Sequence, residues 1–388
     1  MYILIIGFFI LLAFSALEYY KHQKYRKQIP MVIHVNGTRG KSSVTRLIAA
    51  GLREGGKKVI AKTTGSAPRL IFEDGNEIPI KRPQGPNIRE QLSICKFAAK
   101  RGVDVLVLEC MAVMPEYQWI TEHKMVKSSI GVITNIRLDH VDVMGPGIKN
   151  CTYSICNTIP SRTKIFTSEK KLFPYMKKIS TKNYSEIHMS DESIVKDNDL
   201  EGFSYLEHKD NIALSLNVCN ACGVNKDIAL RGMKAVTPDI GATKTYQIKV
   251  KNKDIYFAHS FAANDPESTE FVIKSLKTFH PNIGYTAFLL NTRADRMFRS
   301  KQLIEMLKDI SYDALFLIGH ETQTVYNYAQ KQKLNMKNIH NLGWTTGEKI
   351  IDSLEIIDED ILLIGIGNIG GNGRYIVEYF KEKSGTGE

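Results

Sequence analysis

The feature that most constrains this 388-residue chain is a short apolar segment that runs directly into a Gly-Lys-Ser turn. Residues 32–35 read Val-Ile-His-Val, residues 36–43 read Asn-Gly-Thr-Arg-Gly-Lys-Ser-Ser, and an amphipathic run follows at 44–52. Glycines let a turn bend so that successive N–H groups point at phosphate oxygens, at the positive end of the next helix. The segment therefore predicts a strand, a phosphate-binding loop and a helix, which together form a nucleotide-binding arrangement.

The whole turn is expected to contact nucleotide. Lys41 would reach the outer phosphates and the Ser42 hydroxyl would face magnesium. The standard spacing G-x-x-x-x-G-K-[ST] is not met, because Val35 stands where its first glycine belongs. What remains is a shorter Gly-x-x-Gly-Lys-Ser form. The predicted nucleotide-binding residues here are Asn36, Gly37, Thr38, Arg39, Gly40, Lys41, Ser42 and Ser43.

The chain begins with an uncharged apolar stretch at residues 2–17. At 1.5 Å per residue it covers roughly 25 to 30 Å with its flanking tyrosines, enough for the hydrocarbon core of a bilayer. A signal peptide would have its positive charges before the apolar region, whereas here Lys21, Lys24, Arg26 and Lys27 come after it. The positive-inside rule then predicts a single-pass anchor at 1–20, a basic linker at 21–30 and a cytoplasmic body. A buried N-terminal strand or helix is the alternative.

Composition narrows the class of protein. The net charge of +11 includes four juxtamembrane residues, and the other charges are mixed with acidic residues without an aromatic and basic stripe, so we expect no nucleic acid partner. A basic surface also suits a polyanionic substrate. The six cysteines include one C-x-x-C, at Cys219 and Cys222, with no second pair for zinc. Reduced, buried thiols are therefore expected.

The order of apolar and helix-like segments predicts two α/β domains. With 43% apolar residues the chain can bury a large core. Short apolar runs at 58–62, 103–109, 129–134 and 164–167 alternate with helical patterns, as in a parallel sheet covered by helices. The pattern restarts near residue 240. We predict a P-loop central domain at 31–240, a hinge at 237–242, a second Rossmann-like domain at 241–380 and a mobile tail at 381–388. The predicted strands of the second domain are 246–250, 254–258, 287–291, 314–318 and 360–366.

Two further polar segments follow predicted strands of the first domain. Glu109 ends the run Val-Leu-Val-Leu-Glu and could hold magnesium together with Ser42. The next strand leads into Thr-Asn-Ile-Arg-Leu-Asp-His, in which Asn135 could contact nucleotide, His140 could ligate a second magnesium, and Asp139 could orient that imidazole. Ligands bind at the carboxyl ends of strands in open α/β sheets, so these groups are expected at one edge.

Other polar segments complete the candidate set. Residues 63–90 form a Gly/Pro-rich basic excursion in which Arg69 and Arg82 are candidate contacts for substrate carboxylates, with a solvated hairpin as the alternative. In the second domain, Asn264 and Asp265 precede a proline and could either contact nucleotide or cap a helix. Arg293 and Arg296 suit phosphate or carboxylate recognition. A Gly-x-Gly-x-x-Gly at 365–370 lacks a later acidic ribose-binding residue, so we expect a close backbone approach there and no NAD.

The motifs G-T-x-G-K-S, L-E and T-N-I-x-x-D-H-x-D resemble the central domain of Mur ligases and folylpolyglutamate synthetases. The resemblance implies ATP on the loop and two magnesium ions held by Ser42, Glu109 and His140. It also implies phosphorylation of a carboxylate, followed by amide formation from the acyl phosphate. The Asn-Pro-x-Ser segment and Arg-rich loop of that family imply that Asn264, Asp265, Arg293 and Arg296 act on the nucleotide. Lys41, Glu109, His140 and Arg296 are then the implied catalytic residues.

The segments F-A-A-N-D-P-E-S-T, N-T-R-A-D-R and G-I-G-N-I-G-G-N-G, with the apolar start, resemble more specifically the ligase subunits of poly-γ-glutamate synthases. That resemblance implies glutamate and a growing polymer as substrates, small membrane subunits as partners, and a cell-membrane location. A loop at residue 37 leaves no room for the amino-terminal domain of peptidoglycan ligases. A folylpolyglutamate-type ligase and a membrane-associated P-loop switch are the alternatives.

One departure from the superfamily stands out. Many members carry a carbamylated lysine about fifteen residues after the Asp-His pair, whereas residues 151–157 here read Cys-Thr-Tyr-Ser-Ile-Cys-Asn. Either Lys149 or Lys164 substitutes for that lysine, or the second magnesium is held differently.

Overall fold

The chain folds into two compact units, residues 1–239 and 240–388. The computed structural model describes residues 2–65, 68–203, 205, 207–237, 244–261, 263 and 265–385. The predicted hinge at 237–242 lies outside these residues except for Thr237. The predicted α/β fold in two domains is confirmed, and each unit is described by itself below.

The first unit is built on a mostly parallel sheet, which has eight strands among the described residues, in the order β4-β3-β2-β5-β1-β6-β7-β8. All neighbouring pairs are parallel except β2 with β3 and β3 with β4. The strands are β1 Met31–Asn36, β2 Val59–Lys62, β3 Arg69–Ile71, β4 Glu77–Pro79, β5 Val105–Glu109, β6 Ile130–Ile133, β7 Lys164–Thr167 and β8 Glu186–Met189.

Helices cover both faces of this sheet. The helices of this unit are α1 Tyr2–Lys27, α2 Lys41–Glu54, α3 Glu90–Arg101, α4 Pro115–Ile120, α5 Val141–Met144, α6 Ile148–Cys156, α7 Phe173–Lys182, α8 Asp197–Leu200, α9 Lys209–Ala221 and α10 Lys226–Lys234, with a π-helical turn at Thr121–Val126. The central strands are buried on both faces, as their continuous apolar runs require. Helix α2 packs on α9 and α10, and its buried face includes Val44, Leu47 and Ile48.

The second unit contains a sheet that has six described strands, in the order β13-β12-β11-β14-β10-β9, with only β9 and β10 paired antiparallel. Its strands are β9 Lys244–Val250, β10 Lys253–His259, β11 Tyr285–Thr292, β12 Ala314–Gly319, β13 Ile339–Gly343 and β14 Ile361–Gly367. Its helices are α11 Pro266–Phe279, α12 Met297–Met306, α13 Thr322–Lys331, α14 Gly347–Leu354 and α15 Asn372–Lys383.

Both ends of the chain differ from the sequence-based boundaries. The predicted linker at 21–30 is helical as far as Lys27, because α1 continues through the basic cluster without a break. Lysine, glutamine and arginine favour helix, so the charges do not end it. At the other end, α15 continues to Lys383, so the first residues of the predicted mobile tail are helical. Helix α1 is long and apolar enough to cross a membrane, and its apolar window is not buried in the protein.

A buried ion pair joins β1 to the π-helical turn. His34 on β1 is fully buried, and its Nδ1 is 2.7 Å from Glu122 Oε2 in the π-helical turn. Glu122 also accepts hydrogen bonds from the backbone N–H and the hydroxyl of Ser128. Burial lowers the pKa of His34, but its hydrogen bonds to Cys110 and Glu122 outweigh that effect and raise the pKa to about 10. The imidazole of His34 is therefore protonated at neutral pH.

This pair predicts a loss of stability in alkali. A histidine whose pKa is raised on folding contributes stability that is fully present below its ordinary value of 6.5 and lost as the pH rises towards about 10. The free energy of unfolding, measured by denaturant titration between pH 7 and pH 10, should fall more steeply for the wild type than for a His34→Asn, Glu122→Gln double variant. Parallel pH dependences in the two proteins would contradict the assignment.

Candidate functional site

The predicted phosphate-binding loop lies between the end of β1 and the start of α2, and two glycines give it its shape. Gly37 has φ +134° and Gly40 has φ +77°, a range that favours glycine. A Cβ on Gly37 would stand 2.0 Å from Thr134 Oγ1, and one on Gly40 would stand 2.8 Å from Asn211 Oδ1. The loop is therefore closely packed on both sides.

The end of β6 holds the loop in place. Thr38 N–H donates to Asn135 O over 2.9 Å, and Arg39 N–H donates to Asn135 Oδ1 over 3.1 Å. Thr134 Oγ1 donates to Arg39 O over 2.6 Å. We predicted that the Asn135 side chain contacts nucleotide. In the structure it holds the backbone of the loop at Arg39.

Lys41 is the first residue of α2, and its side chain folds back over the loop. Its Nζ donates to Gly37 O over 2.7 Å and to Thr38 O over 3.1 Å. Burial lowers the pKa of Lys41, and the nearby Glu109 carboxylate opposes that shift. The ammonium group is therefore held by carbonyl dipoles where an outer phosphate would meet it.

Ser42 and Glu109 meet beside the loop, as predicted. Ser42 Oγ donates to Glu109 Oε2 over 2.8 Å, and the carboxylate is 2% exposed. Thr64, which the sequence analysis missed, donates to the same carboxylate through its N–H at 2.7 Å and its hydroxyl at 2.8 Å. A hydroxyl and a carboxylate are oxygen donors that suit Mg²⁺. Thr64 follows β2, whose carboxyl end adjoins that of β5, so the strand-end rule that selected Glu109 would also have found it.

The Thr64 hydroxyl provides a test of this carboxylate. Thr64→Val keeps the side-chain shape but removes one hydrogen bond to Glu109, so the Mg²⁺ concentration needed for half-maximal ATP turnover should rise about tenfold, the lower end of the effect of orienting groups at metal sites. Thr64→Ser keeps the donor and should behave as the wild type. Equal magnesium dependence in all three proteins would contradict this role.

His140 lies on the other side of the loop from Glu109. The segment that carries His140 follows β6, and β6 neighbours β1 on one side as β5 does on the other. His140 is one-third exposed, has φ +47°, and its Nε2 is 3.9 Å from Asp139 Oδ2. Asp139 also pairs with Arg39, at 2.9 Å. Among the residues that the structure describes, no group of three or more His, Cys, Asp or Glu side chains gathers at one point. Of the three predicted metal ligands, Ser42 and Glu109 contact each other directly.

The Asn36 side chain does not face the loop, although we predicted it to bind nucleotide. Its Nδ2 donates to Gln118 Oε1 over 2.8 Å and to Thr158 Oγ1 over 3.0 Å. Gln118 Nε2 in turn donates to Ser154 Oγ over 2.8 Å. The Asn36 side chain is therefore part of a buried polar network behind the loop.

This network includes the segment that lacks the superfamily's lysine. Ser154 and its neighbours on α6 contact Gln118 and Asn36. Lys164 begins β7 and pairs with Ile130 at the amino edge of the sheet, so it is excluded as a substitute. Lys149 is exposed on α6 at its second position.

A second acidic group near the loop was also missed. Glu207 is buried and hydrogen-bonded to Ser43, the last residue of the predicted loop. Asn211 Nδ2 donates to Glu207 Oε1 over 2.8 Å, and Asn211 is the side chain that packs on Gly40. Burial raises the pKa of Glu207. These residues come to the loop through the packing of α9 on α2, for which the sequence offers no local signal.

The two predicted substrate arginines lie in the excursion at 63–90. Arg69 begins β3 and is 3.6 Å from Glu77. Arg82 pairs with both carboxylate oxygens of Glu90, at 2.6 and 2.9 Å, and Glu90 also binds the buried Lys62. The Arg82 guanidinium is therefore occupied by an internal carboxylate in this structure.

In the second unit, Asp265 caps α11 by accepting a hydrogen bond from Ser268 N–H over 3.0 Å, which is the helix-cap alternative of the sequence analysis. Asn264 lies outside the described residues. Arg293 and Arg296 follow β11, and both face Asp295, at 2.8 and 3.8 Å. A Cβ on Gly367 would stand 2.6 Å from the backbone carbonyl oxygen of Asn291, so the predicted close backbone approach is present.

Comparisons with known proteins agree with this arrangement. The family model described as the Mur ligase middle domain matches residues 35–237, and that described as the poly-gamma-glutamate synthase CapB C-terminal domain matches residues 245–383. The chain is 34% identical to the PGA synthase CapB of Bacillus subtilis (strain 168), over 98% of each chain. It is also 34% identical to the capsule biosynthesis protein CapB of Bacillus anthracis, over 93% of this chain and 79% of the relative.

Solved structures show the same fold. The E. coli FolC structure in complex with ADP has a TM-score of 0.69 at 17% identity, covering 94% of this chain and 92% of that one. A Mycobacterium tuberculosis folylpolyglutamate synthase structure, complexed with ADP and AMPPCP, has a TM-score of 0.67 at 15% identity, covering 92% of each chain. Taken with the near full-length match to CapB relatives, the family models place this chain in the poly-gamma-glutamate synthase CapB family, with a Mur ligase middle domain.

Proposed function

We infer that the chain is an ATP-dependent amide ligase that extends poly-γ-glutamate. The observation that carries this inference is the placing of Lys41, Ser42 and Glu109 at one edge of a Mur ligase middle domain. The CapB relatives supply the substrate class, glutamate and its polymer. The γ-carboxylate of glutamate attacks the terminal phosphorus of ATP, releasing ADP and leaving an acyl phosphate. The amine of the next glutamate then displaces phosphate and forms the amide.

The residues of the loop contribute position and charge to this reaction. Loop N–H groups and the start of α2 would hold the phosphates. The Lys41 ammonium would leave the carbonyls of Gly37 and Thr38 and bind the transferring phosphoryl group, stabilising the charge that develops on it. We propose that Arg293 and Arg296 bind the same nucleotide, with Asn264 and Asp265, as the superfamily resemblance implies.

Magnesium would bind at Ser42 and Glu109, and we propose His140 as the ligand of a second ion. When bound, the metal neutralises phosphate charge in the transition state. Glu109 is fitted to this because Ser42 and Thr64 point hydroxyls at a nearly buried carboxylate. No carbamylated lysine is among the proposed magnesium ligands.

We further propose that Arg69 and Arg82 contact carboxylates of the growing chain. To do so, Arg82 must release the carboxylate of Glu90 and bind a carboxylate of the substrate in its place. Arg69 is a quarter exposed, and its carbonyl accepts a hydrogen bond from Thr63 N–H just after the carboxyl end of β2. Arg69→Ala should raise the KM for the γ-glutamyl acceptor, and an unchanged KM would contradict this assignment.

We propose a cell-membrane location, with α1 as a single-pass anchor and the body in the cytoplasm. The support is an apolar helix followed by a basic cluster. Small membrane subunits of a synthase and export complex are the proposed partners. No nucleic acid partner is proposed.

The test is ATP turnover by detergent-solubilised protein with magnesium, with and without L- or D-glutamate and a short γ-glutamyl oligomer. Stimulation by glutamate with a new γ-amide product is the expected result. Hydrolysis that is indifferent to every glutamyl acceptor, alone and after co-expression with its membrane partners, would contradict the ligase and favour a nucleotide switch. A pteroyl acceptor extended in place of the glutamyl oligomer would favour a folylpolyglutamate-type ligase.

A further inference from the structure

The last third of α1 is fixed to the first unit alongside α3. Glu18 pairs with Arg89, and Lys96 Nζ lies 6.0 Å from the centre of the Tyr25 ring. The partners in both pairs are 71 residues apart in sequence. Two helices run side by side in the same direction when contacts about two turns apart join residues with the same difference in residue number. Helix α1 is therefore parallel to α3 from Glu18 to Tyr25.

A second contact fixes the other side of α1. His22 Nε2 lies 2.6 Å from Met125 O, and Gln23 Nε2 donates to Lys124 O over 3.0 Å. Arg26 donates to Val126 O over 2.5 Å and to Lys127 O over 2.8 Å. These acceptors are backbone carbonyls of the π-helical turn and the residue after it. The direction of α1 is thus set by the body of the unit.

The course of α3 shows which edge of the sheet α1 passes. At its start, Gln91 Nε2 donates to the carbonyl of Glu109, the last residue of β5, and Glu90 pairs with Lys62, the last residue of β2. At its end, the Arg101 carbonyl accepts from Lys58, just before β2. Helix α3 therefore runs from the carboxyl edge of the sheet to the amino edge.

Helix α1 follows the same course. Glu18 lies level with Arg89 at the carboxyl edge, and α1 ends near the amino edge, where β1 begins at Met31. The uncharged stretch at 2–17 must then continue past the carboxyl edge, away from the amino edge. This is the edge at which Lys41, Ser42 and Glu109 lie.

We propose that the carboxyl edge of the eight-stranded sheet faces the cytoplasmic headgroups of the bilayer that α1 spans. The proposal rests on the proposed membrane anchoring by α1. The loop that leads into α3, residues 80–89, lies at this edge and carries Lys81, which is exposed, while Arg89 pairs with Glu18 of α1. The charge of Lys81 suits anionic headgroups. A polymer extended here would emerge at the membrane surface.

The two edges of the sheet can be compared directly, because a strand of five or six residues separates them by roughly 15 to 20 Å. All six native cysteines are buried, so single surface cysteines can be labelled. Gln84→Cys places a fluorophore in the loop at the carboxyl edge, and Ser161→Cys places one just before β7 at the amino edge; both native side chains are exposed. The labelled proteins are reconstituted into phosphatidylglycerol and phosphatidylcholine vesicles containing headgroup spin-labelled lipid.

The expected result is quenching several-fold stronger at position 84 than at 161. Equal quenching, or stronger quenching at 161, would overturn the proposal. A flexible Gly-Ser linker inserted between Leu17 and Glu18 provides a second variant that leaves the body intact. It should erase the difference, and a difference that persists would show that docking of α1 does not set the orientation.

Flotation of the same vesicles separates this proposal from the membrane anchoring. Protein that floats but shows no difference between the two positions overturns the orientation alone. Protein that does not float overturns the anchoring and the orientation together. Glutamate-dependent ATP turnover, measured in parallel, reports on the ligase activity independently of both.

Discussion

Replacing Lys41 with methionine is expected to lower glutamate-dependent ATP turnover by about a hundredfold to a thousandfold, the effect of removing one charged group that stabilises a transition state. The Lys41 ammonium lies over the loop, held by the carbonyls of Gly37 and Thr38, and no second ammonium group is described on the loop. Methionine has a similar length and favours helix, so α2 should still begin at this position. The measurement is kcat and KM for ATP at saturating glutamyl acceptor.

A matched control is Lys178→Met. Lys178 is exposed on α7 in the same unit, so this variant loses the same charge far from the loop and should turn over ATP as the wild type does. The melting temperature of the Lys41 variant should be no lower than that of the wild type, because burial of the Lys41 ammonium destabilises the folded wild-type protein. Turnover retained by Lys41→Met, with a correct fold, would remove the loop from the proposed mechanism.

The part of the site that local sequence predicts is the part that a strand and its following turn build. The loop between Gly37 and Ser42 and the approach of Glu109 follow from two facts, a Gly-Lys-Ser turn after a strand and a parallel sheet whose carboxyl ends meet at one edge. The structure places β1 between β5 and β6, which brings Glu109 and the Thr134–His140 segment to opposite sides of the loop.

The rest of the site depends on packing between distant segments. Glu207 and Asn211 reach Ser43 and Gly40 only because α9 packs on α2, and residues so far apart in sequence leave no periodic or spacing signal. For Asn36, local sequence indicated a contact that its side chain does not make. Its place in the motif predicted nucleotide binding, whereas its side chain is hydrogen-bonded within a buried network. The extension of α1 to Lys27 follows from helix propensity and from contacts with the π-helical turn, which a basic composition alone does not indicate.

The same packing makes Gly37 the residue of the loop that least tolerates change. In Gly37→Ala, the added Cβ would stand 2.0 Å from Thr134 Oγ1 and 3.0 Å from Thr134 N, at a φ of +134° that L side chains rarely adopt. The loop must then leave the end of β6, with a loss of about 1 to 3 kcal/mol of stability from backbone strain alone. Binding of ATP analogues should fall below detection in calorimetry, since the N–H groups of the loop no longer converge.

Gly223→Ala is the matched control for this variant. Gly223 lies in the same unit with φ +82°, and a Cβ there would meet no atom within 4 Å, so the variant carries the strain of a positive φ without the clash. It should lose some stability yet bind nucleotide as the wild type does. Thr134→Ala in the Gly37→Ala background removes the nearest clashing atom and should recover part of the stability, because the backbone contacts remain. Normal nucleotide binding by Gly37→Ala would mean that the loop does not need its contact with β6 to hold phosphate.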